Sequence, residues 1–230
     1  MKIEINGLVV ERLKEKDIEL VREWRNSDAT RKNMLYQKVI TKEEQVKWFH
    51  SINNFNNFYF ILEYKDRKVG LVNIKNINWE ERTGEAGIFM NERDLSALLI
   101  PIIGTIAINE LLNSVFGLEK LYAKIRKENK SAQRLNTLLG YKKVKDIDTT
   151  DKEYDLYFAL PGNKDSHSKK WIILINSMGF ETGKLRIILE PEDYVSDFGE
   201  RMEQLIERCS VDFKVETGDR NKVYTRIKAK

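Results

Sequence analysis

Gly84-Glu85-Ala86-Gly87-Ile88-Phe89-Met90, an apolar run from Leu98 to Ile108, Leu121-Tyr122-Ala123-Lys124-Ile125, Glu128-Asn129-Lys130-Ser131 and Leu139-Gly140-Tyr141 follow one another in the middle of the chain, and their order decides the fold. The first piece is short and ends in β-formers, so it reads as a strand. The second leads into Ile102, Ile103, Ile106, Ala107, Leu111, Leu112 and Val115, apolar on most sides of a helix, which must therefore be buried against a sheet. Pro101 has no N–H to donate and suits a helix's first turn, placing the start at about Ala97 or later. Gly117 stops the helix after Phe116. Leu118 to Arg126 is then a strand, Ser131 to Leu139 a helix closed by Gly140, and Tyr141 to Lys145 and Tyr154 to Leu160 two more strands.

Toward the N-terminus, Leu8 to Leu13 reads as a strand and Lys16 to Asn26 as a helix with Leu20, Val21 and Trp24 on one face. Thr41-Lys42-Glu43-Glu44 is a capping box, in which the Thr hydroxyl and the Glu carboxylate each take a free backbone N–H, and the helix it opens buries Gln45, Trp48, Phe49 and Ile52. Phe58 to Tyr64, a Lys65-Asp66-Arg67 turn and Lys68 to Asn78 form an antiparallel hairpin, which Gly84 to Met90 extends. Strands alternating with helices give an α/β (α+β) fold: a mixed, mostly antiparallel sheet with flanking helices. Pro161 to Lys170 is polar and rich in breakers, so it is expected to be a linker between a domain over 1–160 and a small ββαββ module over 171–230.

With 230 residues, 41% hydrophobic and 33% charged, the chain can bury a real core in one domain and a smaller companion. Forty Lys+Arg stand against 36 Asp+Glu without forming a basic stripe, which argues against nucleic acid as a partner. The one cysteine, Cys209, has no partner for an internal disulfide, as in a reducing compartment. The run from Leu98 to Ile108 is broken by Pro101, Gly104 and Thr105, short of the roughly 20 residues of a membrane span. Lys2, Glu4, Glu11 and Arg12 argue against a cleavable leader, so a cytoplasmic location away from the membrane is expected. His50 and His167 lack the spacing of a metal site.

Over residues 5–160 this element order resembles the GNAT N-acetyltransferase superfamily. Gly84-Glu85-Ala86-Gly87-Ile88 is similar to that family's fourth strand and Leu118-Glu119-Lys120-Leu121-Tyr122-Ala123 to its fifth. Asn129-x-Ser131 with Leu139-Gly140-Tyr141 resembles its Asn-x-x-Ala/Ser … Leu-Gly-Phe stretch. Trp24-Arg25-Asn26 followed by Thr41 to Phe49 resembles two branches, the ribosomal-protein N-terminal acetyltransferases and the acetyltransferases of amino-sugar nucleotides.

The resemblance implies acetyl-CoA as acyl donor. The fourth and fifth strands should splay, letting the pantetheine arm pair with Ile88, Phe89 and Met90. The pyrophosphate should meet Leu95-Ser96-Ala97-Leu98-Leu99-Ile100 at the start of the central helix, where free N–H groups favour anions, and Asn129 should line the donor site. This loop departs from the family in having no glycine before Gly104. Glu85 is the candidate base. The family's acid, a tyrosine seven residues after the Asn, falls at Asn136, which cannot donate a proton; Tyr141 or Tyr122 would have to replace it. Arg25 and Asn26, with Met34, Tyr36 and Gln37 in the next loop, are candidates to grip a diphosphate or a peptide terminus, and Trp79 to stack on a base. The acceptor expected is the primary amine of a nucleotide-linked amino-deoxysugar. A protein N-terminus and a non-catalytic acyl-CoA-binding or assembly role stand as alternatives, and a homodimer or recruitment of another enzyme is a role open to the tail beyond Trp171.

Overall fold

The computed structural model describes residues 1–5, 8–91, 99–144, 153–160, 185–218 and 221–227. Among these residues eleven strands form one sheet: β1 (Lys2–Ile5), β2 (Leu8–Arg12), β3 (Phe58–Tyr64), β4 (Arg67–Asn78), β5 (Thr83–Met90), β6 (Lys120–Arg126), β7 (Lys142–Lys143), β8 (Tyr154–Ala159), β9 (Arg186–Leu189), β10 (Phe213–Thr217) and β11 (Lys222–Arg226). Their order is β10-β11-β9-β1-β2-β3-β4-β5-β6-β8-β7. Every neighbouring pair is antiparallel except β5 and β6. The hairpin turn places Lys65 and Asp66 at φ 49° and 58°, the two positive-φ residues that a tight primed turn needs.

Among the described residues, six helices flank the sheet: α1 (Ile18–Asn26), α2 (Asp28–Arg31), α3 (Lys42–Ile52), α4 (Leu99–Ser114), α5 (Lys130–Leu138) and α6 (Phe198–Arg208). Alternation along β3 shows how the sheet serves two layers. Phe58, Phe60 and Leu62 are fully buried in the cluster that contains Ile103, Leu111 and Leu112 of α4, while Ile61 joins Val21 and Trp24 of α1 and Phe49 of α3. Each such side chain contributes about 1.5–3 kcal/mol on burial. The capping box of α3 forms as expected, Glu44 N–H donating to Thr41 Oγ1 at 3.2 Å and Thr41 N–H to Glu44 Oε2 at 2.8 Å. Gly117 and Gly140, at φ 65° and 86°, end α4 and α5 in the left-handed region that costs glycine nothing.

Two expectations change. Lys2–Ile5 is a strand ahead of the first one read from the sequence, its Ile3 pairing with Val10. Residues 185–227, expected as part of a separate module, instead continue the same sheet: β9 pairs with β1 and β11 with β9. Phe198, Met202 and Ile206 of α6 are buried in the α4-side core, Phe198 with ring centroids 5.7 Å from both Phe55 and Phe58. The physical reason is the free edge of β1, which strand β9 closes. A charged seam holds the join, Lys14 Nζ lying 2.9 Å from Glu11, Glu190 and Glu192. Burial alone would raise the Glu190 carboxyl, but Lys2 and Lys14 bring it down to about 2. The expected linker 161–170 and first strand of the tail, 171–176, lie outside the described residues.

Candidate active site

β5 and β6 share only three rungs, Thr83 with Lys120, Gly84 with Leu121 and Glu85 with Tyr122. Beyond Glu85, β5 stays paired with β4 as far as Met90, while β6 turns to β8 as far as Arg126. The ribbons therefore part after Glu85, and among the described residues no strand pairs with the open edge of 86–90. An extended ligand with amide groups can complete such an edge as a strand would. Ile88, Phe89 and Met90, the residues expected to meet a pantetheine arm, lie on this open edge.

The two faces of the opening differ. Ala86, Ile88 and Met90 pack into the core under α4. Phe89 points the other way, its ring 6.4 Å from Trp24 in an edge contact, so by alternation Glu85 and Gly87 face α1 and α3. The α4 face of the strand is thus filled by its own side chains, and the polar residues beside the gap lie on the α1/α3 face.

That side carries a polar and aromatic cluster. Glu85 is half-buried, with Oε1 2.9 Å from Lys75 Nζ and Oε2 accepting from Asn76 Nδ2 at 3.4 Å. Across the last rung stands Tyr122, with Lys120 Nζ 5.1 Å from its ring. Arg25 lies 5.3 Å from the Trp48 ring, which meets Tyr59 edge-on at 5.1 Å. Burial pushes the Tyr59 hydroxyl up to about 12, against the pull of Arg25. Burial also lowers Arg25, while Tyr59 and Tyr36 act to raise it. Among the described residues, the Arg25 guanidinium has no carboxylate partner.

The other residues nominated from the sequence are placed as follows. Asn26 spends both ends of its amide on Ile40, donating to its carbonyl at 2.9 Å and accepting from its N–H at 2.8 Å, so it anchors the loop after α2. Gln37 is exposed and donates to the Lys32 carbonyl at 2.9 Å. Met34 is half-buried in that loop, and Leu35 accepts from Tyr154 Oη across the sheet at 3.5 Å. Trp79 belongs to the α4-side core instead of the cleft: it stacks on Phe55 at 5.4 Å and donates to Asn56 Oδ1 at 3.0 Å.

Tyr141 is 3% exposed, and burial raises its hydroxyl, which removes it as an acid reaching the gap. Asn136 donates back to the Ala132 carbonyl at 2.8 Å within α5. Asn129 caps α5, accepting from Ala132 N–H at 3.0 Å. Ile100 is buried in α4, and Leu99 begins that helix. Leu95, Ser96, Ala97 and Leu98 lie outside the described residues. Sequence reasoning did not single out Tyr59 or Asn73, which share the Glu85 face; the alternation of the hairpin strands was the signal available.

Residues 8–142 match the family model described as an acetyltransferase (GNAT) domain. An uncharacterised protein of Methanocaldococcus jannaschii is 28% identical over 145 residues, a match covering 62% of this chain but 29% of the relative's length. Among solved structures, apo FdhC, described as a nucleotide-linked sugar GNAT, superposes with TM-score 0.60 at 20% identity, covering 76% of this chain and 97% of that one. The Vibrio cholerae spermidine N-acetyltransferase in complex with CoA and spermine does so with TM-score 0.56 at 17% identity, covering 67% and 96%. With the family model spanning residues 8–142, more than half of the sequence, the chain belongs to the GNAT acetyltransferase family.

Proposed function

We propose that the acceptor is a small anionic amine, a nucleotide-linked amino-deoxysugar. The observation that supports this is the Arg25 guanidinium, half-buried against Trp48 and without a carboxylate partner among the described residues, on the face from which the acceptor enters. Holding a guanidinium out of water without a counter-charge is costly, and a phosphate matches its fork of donors. A polyamine is the poorer fit. Glu85 is engaged by Lys75, and Arg25 and Lys120 on the same face repel a polycation.

Acetyl-CoA supplies the thioester. The open edge of 86–90 holds its pantetheine arm, and Glu85 takes the amine's proton through a water molecule. Tyr122, on the last rung, is the hydroxyl left to protonate the departing thiolate once Tyr141 is assigned to the core. A thiol-release assay with acetyl-CoA and UDP- or dTDP-linked amino-deoxyhexoses, spermidine and a peptide with a free N-terminus tests the reading. Turnover is expected with a nucleotide-linked sugar. Preference for spermidine or the peptide overturns the acceptor assignment, and binding of acetyl-CoA without turnover favours a non-catalytic module.

A further inference from the structure

We propose that the side-chain amide of Asn73 belongs to the acetyl-transfer site, its Oδ1 accepting a hydrogen bond from the acceptor amine at the moment of attack. The inference rests on acetyl transfer at the β5/β6 gap and not on which amine is the acceptor.

The register carries it. Tyr59, Asn73 and Gly87 form one row across β3, β4 and β5, beside the row of Lys75, Glu85 and Tyr122. Gly87 is the second residue past the last rung, where the sheet has opened, and it faces the acceptor side. A Cβ built on Gly87 would lie 2.8 Å from Asn73 Oδ1 and 3.4 Å from Nδ2. The amide therefore rests on a bare α-carbon at the lip of the gap, in space that any other residue at 87 would occupy. Asn73 is half-buried, and among the described residues its side chain makes no hydrogen bond. Asparagine is a poor strand former, and here it gains no structural partner in return.

The chemistry needs a group at this place. A neutral amine must aim its single lone pair at the carbonyl carbon, and an acceptor on one of its N–H bonds fixes that rotation. In the transfer the nitrogen lone pair forms the C–N bond and the C–S bond breaks with its electron pair on sulfur. The nitrogen's surplus proton passes through water to Glu85, and the thiolate takes a proton from the Tyr122 hydroxyl, which solvent restores, to leave as coenzyme A thiol. Glu85 lies two residues from Gly87 on the same face, about 7 Å along the strand, room for one bridging water.

The test is a cycle of Asn73→Ala, Gly87→Ala and the double variant, with Asn73→Asp as the conservative control. All are assayed by thiol release with the amine that the wild-type enzyme turns over best among the three classes above. Asn73→Ala is expected to lower kcat about 10- to 100-fold, with acetyl-CoA affinity and melting temperature near wild type. Asn73→Asp, which keeps an accepting oxygen, is expected to retain most of kcat. Gly87→Ala displaces the amide, so its loss and that of Asn73→Ala should not multiply in the double variant. Asn73→Ala within about twofold of wild-type kcat, or multiplying losses, overturns the assignment. If Gly87→Ala fails to fold, the contrast between Asn73→Ala and Asn73→Asp decides alone. A wild-type enzyme that binds acetyl-CoA but acetylates none of the amines overturns the acetyl-transfer reading itself, and the inference with it.

Discussion

Replacing Phe198 with Ala tests whether the C-terminal strands and α6 are one cooperative unit with the acetyltransferase domain. Phe198 is 3% exposed, stands 5.7 Å from the rings of Phe55 and Phe58, and has the Arg12 guanidinium 3.5 Å above its own ring. Truncating a buried phenylalanine costs about 3–5 kcal/mol, from lost burial and the cavity left behind. The lost ring pairs fall within that range. For a chain of this size each kcal/mol moves the melting point by about 2–4 °C, so Tm should fall by roughly 6–20 °C. Thermal unfolding followed by far-ultraviolet circular dichroism, and separately by acetyl-CoA protection, should give one transition that moves as a whole. A main transition that stays in place while a small early one appears would refute the shared core and restore an independent module.

Four further outcomes are expected. Arg25→Ala should raise KM for an anionic acceptor about 10- to 100-fold and leave acetyl-CoA affinity unchanged, as read by initial rates and calorimetry. Glu85→Gln should lower kcat about 100-fold or more while leaving acceptor binding largely intact, measured by thiol release across pH. Glu190 is held at about 2, below its ordinary 4.5, so its stabilisation is complete above the unfolded value and is lost as pH falls through the folded one. The stability gap between wild type and Glu190→Gln, from urea melts, should therefore be constant above about pH 5 and shrink toward pH 2. Gly140→Ala meets no atom within 4 Å but holds φ at 86°, so it should cost about 1 kcal/mol of backbone strain in the same melts.

Features set by local chemistry could be read from the chain alone. Thr41 with Glu44, Gly117 and Gly140 need only their own neighbours to do their work, and each caps or closes its helix as expected. The parting of the strands after Glu85 was expected only through the resemblance to the GNAT family, which the order of elements carried, and the register shows it. Side chains whose partners come from elsewhere in the sequence were not legible. Asn26 looks like a free helix-end amide until the fold brings Ile40 to it, and Trp79 looks like a loop aromatic until Phe55 and Phe116 close over it. The tail was set apart on composition, since 161–170 is polar. Nothing local in Arg186–Leu189 announces that its hydrogen bonds go to Lys2–Glu4.

Among the described residues, eight strands of the sheet stand on one side of the gap and three on the other, and the strand pairing between them is three rungs long. The two leaves are mechanically unequal. The larger is stiffened by α1, α3 and the added C-terminal strands, and it carries Arg25, Trp48, Tyr59 and Glu85. The small leaf, β6 with β8 and β7, nonetheless keeps Leu121, Ala123 and Ile125 in the same apolar core as Phe58, Phe60 and Leu62, so the gap interrupts the hydrogen bonding of the sheet and not its packing.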